Sequence, residues 1–438
     1  LNFKCTEKGG LNVVDLKGRL VADTAQAKVS DFVLKMPSSE IRLDSVVANY
    51  DETWIKNVTR DASGKEKVKE SLDWKNVLLE ISLDNSVVAL RDLKFVLPRL
   101  GELSDKVELS THFKGTFGNM HLYNLVFNCD DGGAWGRMSV DLAGLPDINE
   151  TYAYVGIKEL GTTMPMLSDM IAKISGKPVK MPKQLNGLGK VKYRGSVSGY
   201  LTDLVAYGEV LSDIGLVNRD MHLESADEFK NVRYNGEVGA NNLNLAKLLG
   251  DKSQLGQTSF KLNSSGEWSK KNGFTCWVKG DVSKLAFKGY EYKDIHIDGN
   301  LKGQEFDGQI DLNDENADVD FSGSFNYSKA MRTGAFSVNV SNMQLHKLNL
   351  VKGYEDLSLS GNVSLDFRGD LESNNNRADV YVNNLTLNNG EKQLRINDIE
   401  IVSVVTPKRD SLVLSSDLMS VKVSGDYEIT KLPRSLKK

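Results

Sequence analysis

Residues that could carry out a reaction are sparse in this chain, and their spacing leaves them without partners. The five histidines, His112, His121, His222, His296 and His346, have neither H-E-x-x-H nor any other ligand spacing. There is no G-x-S-x-G elbow and no G-x-x-x-x-G-K-[ST] loop, so no nucleophile has a recognisable base and the chain reads as non-enzymatic. Gly187-Leu188-Gly189-Lys190 superficially looks like a phosphate loop, but Val191 follows within strand-like sequence, and the stretch reads as a turn. Asp311, Asp314, Glu315, Asp318 and Asp320 make an acidic turn without the glycine of an EF-type calcium loop, which reads as a solvated hairpin tip. Cys5, Cys129 and Cys276 are widely spaced with no C-x-x-C and read as unbridged packing thiols. No cofactor or metal is called for. N-x-[ST] tripeptides such as Asn339-Val340-Ser341 and Asn362-Val363-Ser364 lie inside alternating segments, where the pattern itself produces them, and imply no glycosylation.

The elements that hold these residues are strands. No proline occurs between Pro182 and Pro407, and glycines and Asn/Asp turns divide that span into short apolar/polar alternations. Proline is kept out because a strand paired on both sides needs its N–H for the ladder. In Val363-Ser364-Leu365-Asp366-Phe367-Arg368 and Phe336-Ser337-Val338-Asn339-Val340-Ser341 the period is two, so one face of each strand is dry. Ile295 and Ile297, Ile310 and Leu312, and Val319, Phe321 and Phe325 continue it.

Met166, Leu167, Met170, Ile171 and Ile174, following Pro165, fall at helical spacing and predict a short helix ending at Gly176-Lys177-Pro178. It reads as a brace on the sheet, a plug at the end of an apolar channel, or a membrane contact. A degenerate repeat of strand end, short helical turn and glycine-punctuated hairpin is anchored at Leu93, Leu160, Leu243 and Met343. Ten charges between Lys56 and Lys75, with Ser63 and Gly64, predict a solvated loop or linker.

The chain has 438 residues, beyond the usual limit of a single core, and a stacked architecture escapes that limit because each unit contacts only its neighbours. The expected class is therefore all-β with a few short helices: an elongated, curved, mostly antiparallel β-groove built from degenerate repeats. Residues 1–150 form a first groove section that includes the charged loop at 56–75. Residues 151–190 hold a strand and the helical insertion, and 191–438 a repetitive groove section. With 55 basic and 59 acidic residues and no long run of one sign, nucleic acid is not an expected partner. No apolar run is long enough to span a bilayer.

A dry face that long is either covered by another sheet or left as a trough. A sandwich calls for large aromatics in its middle, whereas only 8% of residues are aromatic and many apolar positions are Val, Leu or Ile with interspersed Gly. Aliphatic surface of this kind suits flexible hydrocarbon, which needs area and no directional partners. At ~4.8 Å per strand, about twenty-five to thirty strands in one sheet would span over 100 Å.

The stretch from Tyr193-Arg194-Gly195-Ser196-Val197-Ser198-Gly199 through Ile214-Gly215 to Tyr234-Asn235-Gly236-Glu237-Val238-Gly239 and Leu255-Gly256 resembles the TamB family of the AsmA-like superfamily. Phe287-Lys288-Gly289-Tyr290-Glu291-Tyr292 and its continuation resemble it too, and Phe32-Val33-Leu34-Lys35-Met36-Pro37 is similar to AsmA-type strands. The resemblance runs over about residues 11 to 430 and consists of spaced glycines and apolar positions. It implies a middle fragment of a periplasmic protein of a diderm bacterium, anchored in the inner membrane by an N-terminal segment absent from this sequence. It further implies carriage of phospholipid between the inner and outer membranes and a role in outer-membrane protein assembly with an Omp85-class partner, through parts not present here.

On this reading phospholipid acyl chains slide along a groove lined by Ile295, Ile297, Ile310, Leu312, Val319, Phe321, Phe325, Phe336, Val338, Val340, Val363, Leu365 and Phe367, with headgroups at a wet seam. The competing expectations are a closed β-solenoid or adhesin-like surface protein whose dry interior serves stability, and a scaffold that adds client strands to a sheet edge.

Overall fold

Alternation at period two fixes strands, and strands of ten or more residues separated by tight turns pair with their sequence neighbours. The computed structural model describes residues 2–6, 12–50, 53–60, 66–73, 75–93, 106–129, 133–145, 147, 149–175, 183–225, 231–250, 254–269, 273–328, 331–370 and 375–425. Two compact units divide at Ala226/Asp227.

The first unit contains β1 (Asn2–Thr6), β2 (Asn12–Ala22), β3 (Gln26–Lys35), β4 (Glu40–Asn49), β5 (Trp54–Arg60), β6 (Glu66–Leu72), β7 (Leu78–Ala89), β8 (Lys106–Gly115), β9 (Asn119–Cys129) and β10 (Trp135–Ala143). It continues with β11 (Tyr152–Thr163), α1 (Met164–Ser175), β12 (Lys190–Tyr200), β13 (Asp203–Ser212) and β14 (Gly215–Glu224). Each strand is antiparallel to the next, except that β4 pairs with β7 and passes over the separate β5–β6 hairpin.

The second unit contains β15 (Asn231–Asn244), α2 (Leu245–Leu249), β16 (Leu255–Ser269), β17 (Gly273–Phe287), β18 (Tyr290–Tyr292), β19 (Ile295–Lys302), β20 (Glu305–Asp314) and β21 (Ala317–Tyr327). It ends with β22 (Met331–Gln344), β23 (Ser358–Asp370), β24 (Asn375–Asn388), β25 (Gln393–Val405), β26 (Asp410–Ser416) and β27 (Ser420–Gly425). Here too the ladder follows chain order, with β17 pairing both the short β18 and β19. The fold is all-β and antiparallel, built from degenerate repeats as expected.

Within each unit the main packing runs between ladder neighbours, so no second sheet lies over the first among the described residues. The accessible surface of 27659 Å² agrees with this, since two compact bodies of half the mass each would expose roughly 20,000 Å² together.

The repeat is visible as a shared irregularity. In β7, β11, β15 and β22 the register slips in the second half of the strand, between Leu83/Ser86, Ile157/Leu160, Ala240/Leu243 and Val340/Met343; a helical element follows the first three strands and a hydrogen-bonded turn, with Leu348 N donating to the Gln344 carbonyl, follows β22. Three of these slips end at the anchors Leu160, Leu243 and Met343. In the first copy the equivalent position is Ser86, not Leu93, which falls in the helical turn Leu90–Leu93. The bulges in β7 and β15 are built alike. Asn85 (φ 40°) and Asn242 (φ 51°) take the left-handed conformation that asparagine tolerates, and their N–H groups donate to Ser110 Oγ at 2.9 Å and Ser259 Oγ at 3.0 Å on the next strand. After β15, Asn244 caps α2 by accepting from Lys247 N at 3.0 Å, and Gly250 (φ 100°) ends it.

Two expectations are corrected. The charged stretch 56–75 is not one long loop: residues 56–60 and 66–72 belong to the paired strands β5 and β6, with Lys56 opposite Glu70, Arg60 opposite Glu66 and Val58 opposite Val68. A count of charges alone reads as solvation a stretch whose backbone pairs as strand. The acidic turn is not a solvated tip either, because Asp314 and Asn316 are buried. Asp314 accepts hydrogen bonds from the Tyr290 hydroxyl (2.5 Å), Lys293 N (3.0 Å) and Asn316 N (2.9 Å), which tie the β20–β21 turn to the β18 segment. Three donors offset the cost of burying the carboxylate.

The helix predicted after Pro165 is α1, with proline in its first turn. Its side chains beyond Asp169 lie outside the description. The glycine-lysine stretch is the end of a 3₁₀ helix (Lys183–Leu188) that passes through Gly189 (φ 65°) into β12: Lys190 N donates to Asp213 Oδ2 at 2.9 Å, and a carboxylate sits where a phosphate loop would receive an anion. Cys129 and Cys276 are thiols rather than disulfide halves. No helix among the described residues is long and apolar enough to cross a membrane.

Candidate functional site

Antiparallel register turns the alternating residues of successive strands into rows that cross the sheet, and these rows give the second unit an apolar face. One row reads Ala240, Phe260, Val282, Ile295, Leu312, Val319, Val340. The next reads Val238, Leu262, Gly280, Ile297, Ile310, Phe321, Val338, Val363, Val382, Ile399. A third runs Gly299, Gly308, Gly323, Phe336, Leu365, Val380, Ile401, Leu414, Val421. A fourth runs Leu301, Phe306, Phe325, Gly334, Phe367, Ala378. All thirteen residues nominated from the sequence lie in these four rows, on one face.

Burial on this face is partial. Of the thirteen, only Ile295 (8% exposed) and Val340 (6%) are buried, and the other eleven are half-buried. In a sealed two-sheet core such residues would be dry.

Glycines shape the face. A side chain at Gly323 (φ 138°) would place its Cβ 2.4 Å from the Ala335 carbonyl oxygen and 2.5 Å from Phe336 Cα. The row Gly299–Gly308–Gly323 therefore forms a low floor over which rings from adjacent rows lie. Phe306 covers Gly299, whose Cβ would meet its ring at 2.6 Å, and packs on Phe325 and Phe321 at centroid distances of 5.4 and 6.2 Å. Phe321 meets Phe336 at 5.3 Å. Tyr234 reports the low polarity of this face: burial pushes its phenol up to about 12 against the opposing pull of the Ser264 hydroxyl. Burial likewise pushes the Cys276 thiol up.

The opposite face is polar. Asp281, His296, Asp311, Asp320, Asn339, Asn362, Asn383 and Asp398 stand in one row, with His296 Nδ1 2.9 Å from Asp281 Oδ1 and Asn339 Nδ2 donating to Asp320 Oδ2 at 3.1 Å. The tripeptides at Asn339 and Asn362 thus belong to a strand ladder.

The first unit has its own apolar face, which the sequence reading did not nominate. Its main row is Leu20, Val29, Val46, Ile81, Phe113, Leu122, Val140, Val155, Val197, Ala206, Met221. From Val29 to Val197 its members are half-buried. Phe306, Val380 and Ile401 were missed in the second unit in the same way. The alternation that marks them is present in the sequence, but in the first unit the slips at Leu83/Ser86 and Ile157/Leu160 change its phase.

Chemically the faces offer dispersion and desolvation and little else. No group of three or more His, Cys, Asp or Glu side chains among the described residues could hold a metal ion. Comparison with models of known protein families, with curated proteins and with solved structures finds no match for this chain.

Proposed function

We propose that the apolar faces carry the acyl chains of phospholipid, and that the chain is a non-enzymatic section of a lipid conduit in the envelope of a diderm bacterium. The observation that carries this reading is the partial burial of a continuous apolar face: a surface crossing many strands that stays open to solvent at most of its positions. A fully buried methylene gains about 0.8 kcal/mol and one laid on an open face a fraction of that, which over a long acyl chain still sums to firm holding while sliding along equivalent rows costs little. Valine, leucine and isoleucine make no directional demands, which suits a moving cargo. A closed solenoid interior would leave the same residues dry. As part of the same proposal, the resemblance to the TamB family supports a reading of this chain as a periplasmic section of a protein anchored in the inner membrane, with an Omp85-class partner and a part in outer-membrane protein assembly.

The test is chemical. Organic extracts of gently purified protein are expected to contain phospholipid by mass spectrometry. The double variant Val338→Asp/Leu365→Asp places two carboxylates on adjacent half-buried rows, where they hydrate without forcing the strands apart. It is expected to keep wild-type circular dichroism and lose most of the bound lipid. An empty wild-type extract, or equal lipid in the folded variant, would end the proposal.

A further inference from the structure

On the apolar face of β12–β14 one described side chain is charged, that of Arg219. Register places it opposite Gly208, which faces Gly195, so the guanidinium reaches over two positions without side chains. Neither glycine has room for a Cβ: at Gly195 it would lie 2.0 Å from the Tyr207 carbonyl oxygen, and at Gly208 2.2 Å from that of Arg194. The Tyr193 ring covers this gap. Its hydroxyl donates to the Tyr207 carbonyl at 2.9 Å, and the residue is buried. Arg219 Cζ stands 4.4 Å from the centroid of that ring. Arg219 Nε is buried and has no hydrogen-bond partner.

A cation on an apolar surface is costly unless something pairs with it, and a ring face supplies only part of what water supplied. Opposite-charge pairs are common on the polar face, as with Lys192 and Arg194 beside Glu159, but Arg219 has no carboxylate partner among the described residues. What it presents is a planar donor fork whose orientation is set by stacking on an anchored ring. That geometry suits an oxyanion held by two parallel hydrogen bonds.

We infer that Arg219 is the anchor for the anionic group of an amphiphile, a phosphate or a carboxylate, whose chains lie along Val197, Ala206 and Met221. This rests on the reading of the apolar faces as acyl-chain surfaces and adds the charge of the cargo and the place where it is read. An uncharged lipid finds the rows but leaves the cation unpaired, whereas an anionic one satisfies both.

The test uses the chain as it stands and two probes with identical chains, dioleoylphosphatidic acid and dioleoylglycerol, each displacing a fluorescent fatty alcohol. Wild type is expected to prefer the phosphatidic acid by about tenfold at low salt, the scale of one charge-assisted hydrogen bond. Arg219→Met is expected to abolish the preference, leave dioleoylglycerol binding in place and melt no lower than wild type, because an unpaired cation has been removed. Arg219→Lys keeps the charge without the fork and is expected to keep part of the preference, which also guards against a folding defect in the first variant. Oleate binding tighter than the fatty alcohol, also lost in Arg219→Met, would extend the site to carboxylates. Equal affinity of wild type for the two lipids, or a preference that survives Arg219→Met, overturns the inference while leaving the acyl-chain reading intact. Inorganic phosphate binding as tightly as the phosphatidic acid would assign the site to a free anion and overturn it as well. Failure of wild type to bind either lipid overturns this inference together with the reading it rests on.

Discussion

The two units solve one problem with different residues. Both must keep a sheet face apolar without a second sheet to cover it. In the second unit, rings do much of the covering: Phe306, Phe321, Phe325 and Phe336 lie over and beside a row of glycines, and Tyr234 stacks on Phe274 at 5.8 Å. In the first unit the main row is largely aliphatic, from Val29 through Val197, and many of its tyrosines stand instead on the polar face, where Tyr152, Tyr154, Tyr200 and Tyr207 are exposed. Where the first unit does use facing glycines, at Gly195 and Gly208, it covers them with Tyr193 and then adds Arg219. The common element is a glycine pair under a ring, and the variable is what lies on the ring. Ring-covered glycines make a stiff, contoured floor, while a mainly aliphatic row, with Phe113 its one ring, makes a smoother one, so the units should differ in how sharply they respond to the loss or gain of a side chain.

The largest difference is expected at the glycine floor. Gly323→Val forces a β-branched residue to φ 138° and drives its Cβ into the Ala335 carbonyl. Backbone strain and overpacking together should cost about 4 kcal/mol. Amide exchange in β20–β22 is the readout, and wild-type protection there would mean that the floor yields and the contrast between units is false.

Next comes removal of a ring. Phe306 is 6% exposed and touches two other phenyl rings, so Phe306→Ala should cost about 3 kcal/mol. Val197→Ala removes a half-buried side chain from the aliphatic row of the first unit and should cost about 1 kcal/mol. Equal losses in denaturant unfolding would remove the distinction between contoured and smooth faces.

How far the sequence reveals these faces depends on phase. Between Ile295 and Phe367 strand parity holds over the residues nominated, so period two predicts the face correctly. It fails near bulges, where two residues of one strand oppose a single residue of the next and apolar positions become three apart, as with Ala240 and Leu243 or Ile157 and Leu160. Asparagine in the left-handed conformation at Asn85 and Asn242 is the local cause, yet asparagine also fills ordinary turns and ladder positions here, so composition does not single it out. Arg219 was legible only in part. Period two sets it on the side of Val217 and Met221, opposite Asn218 and Asp220, but only the register against Gly208 shows the gap it reaches over. The burial of Asp314 was hidden for a related reason: its partners Tyr290 and Lys293 come from a preceding segment that only the fold brings near.

The smallest expected effect concerns the polar faces, where each unit holds a carboxylate lowered by a cross-strand lysine. In the first unit Lys114 hydrogen-bonds Glu80 and holds its carboxyl below the ordinary 4.5. In the second, Asp298 is held below 3.8 by Lys279 at 2.9 Å and then by the Trp277 indole N–H, which donates to it at 2.9 Å. A depressed carboxylate stabilises the fold above its unfolded value and loses that contribution as pH falls through its folded value. Thermal stability should therefore decline below the ordinary carboxylate range in both units. The partners separate them. Lys114→Met leaves Glu80 without its main donor, and its carbon-detected titration should return close to the ordinary value. Lys279→Met leaves the indole in place, so Asp298 should stay depressed, and added salt, which screens a lysine charge but not a neutral donor, should change it little. If Asp298 relaxes as fully as Glu80, the indole contributes nothing and the two polar faces are held by the same device after all.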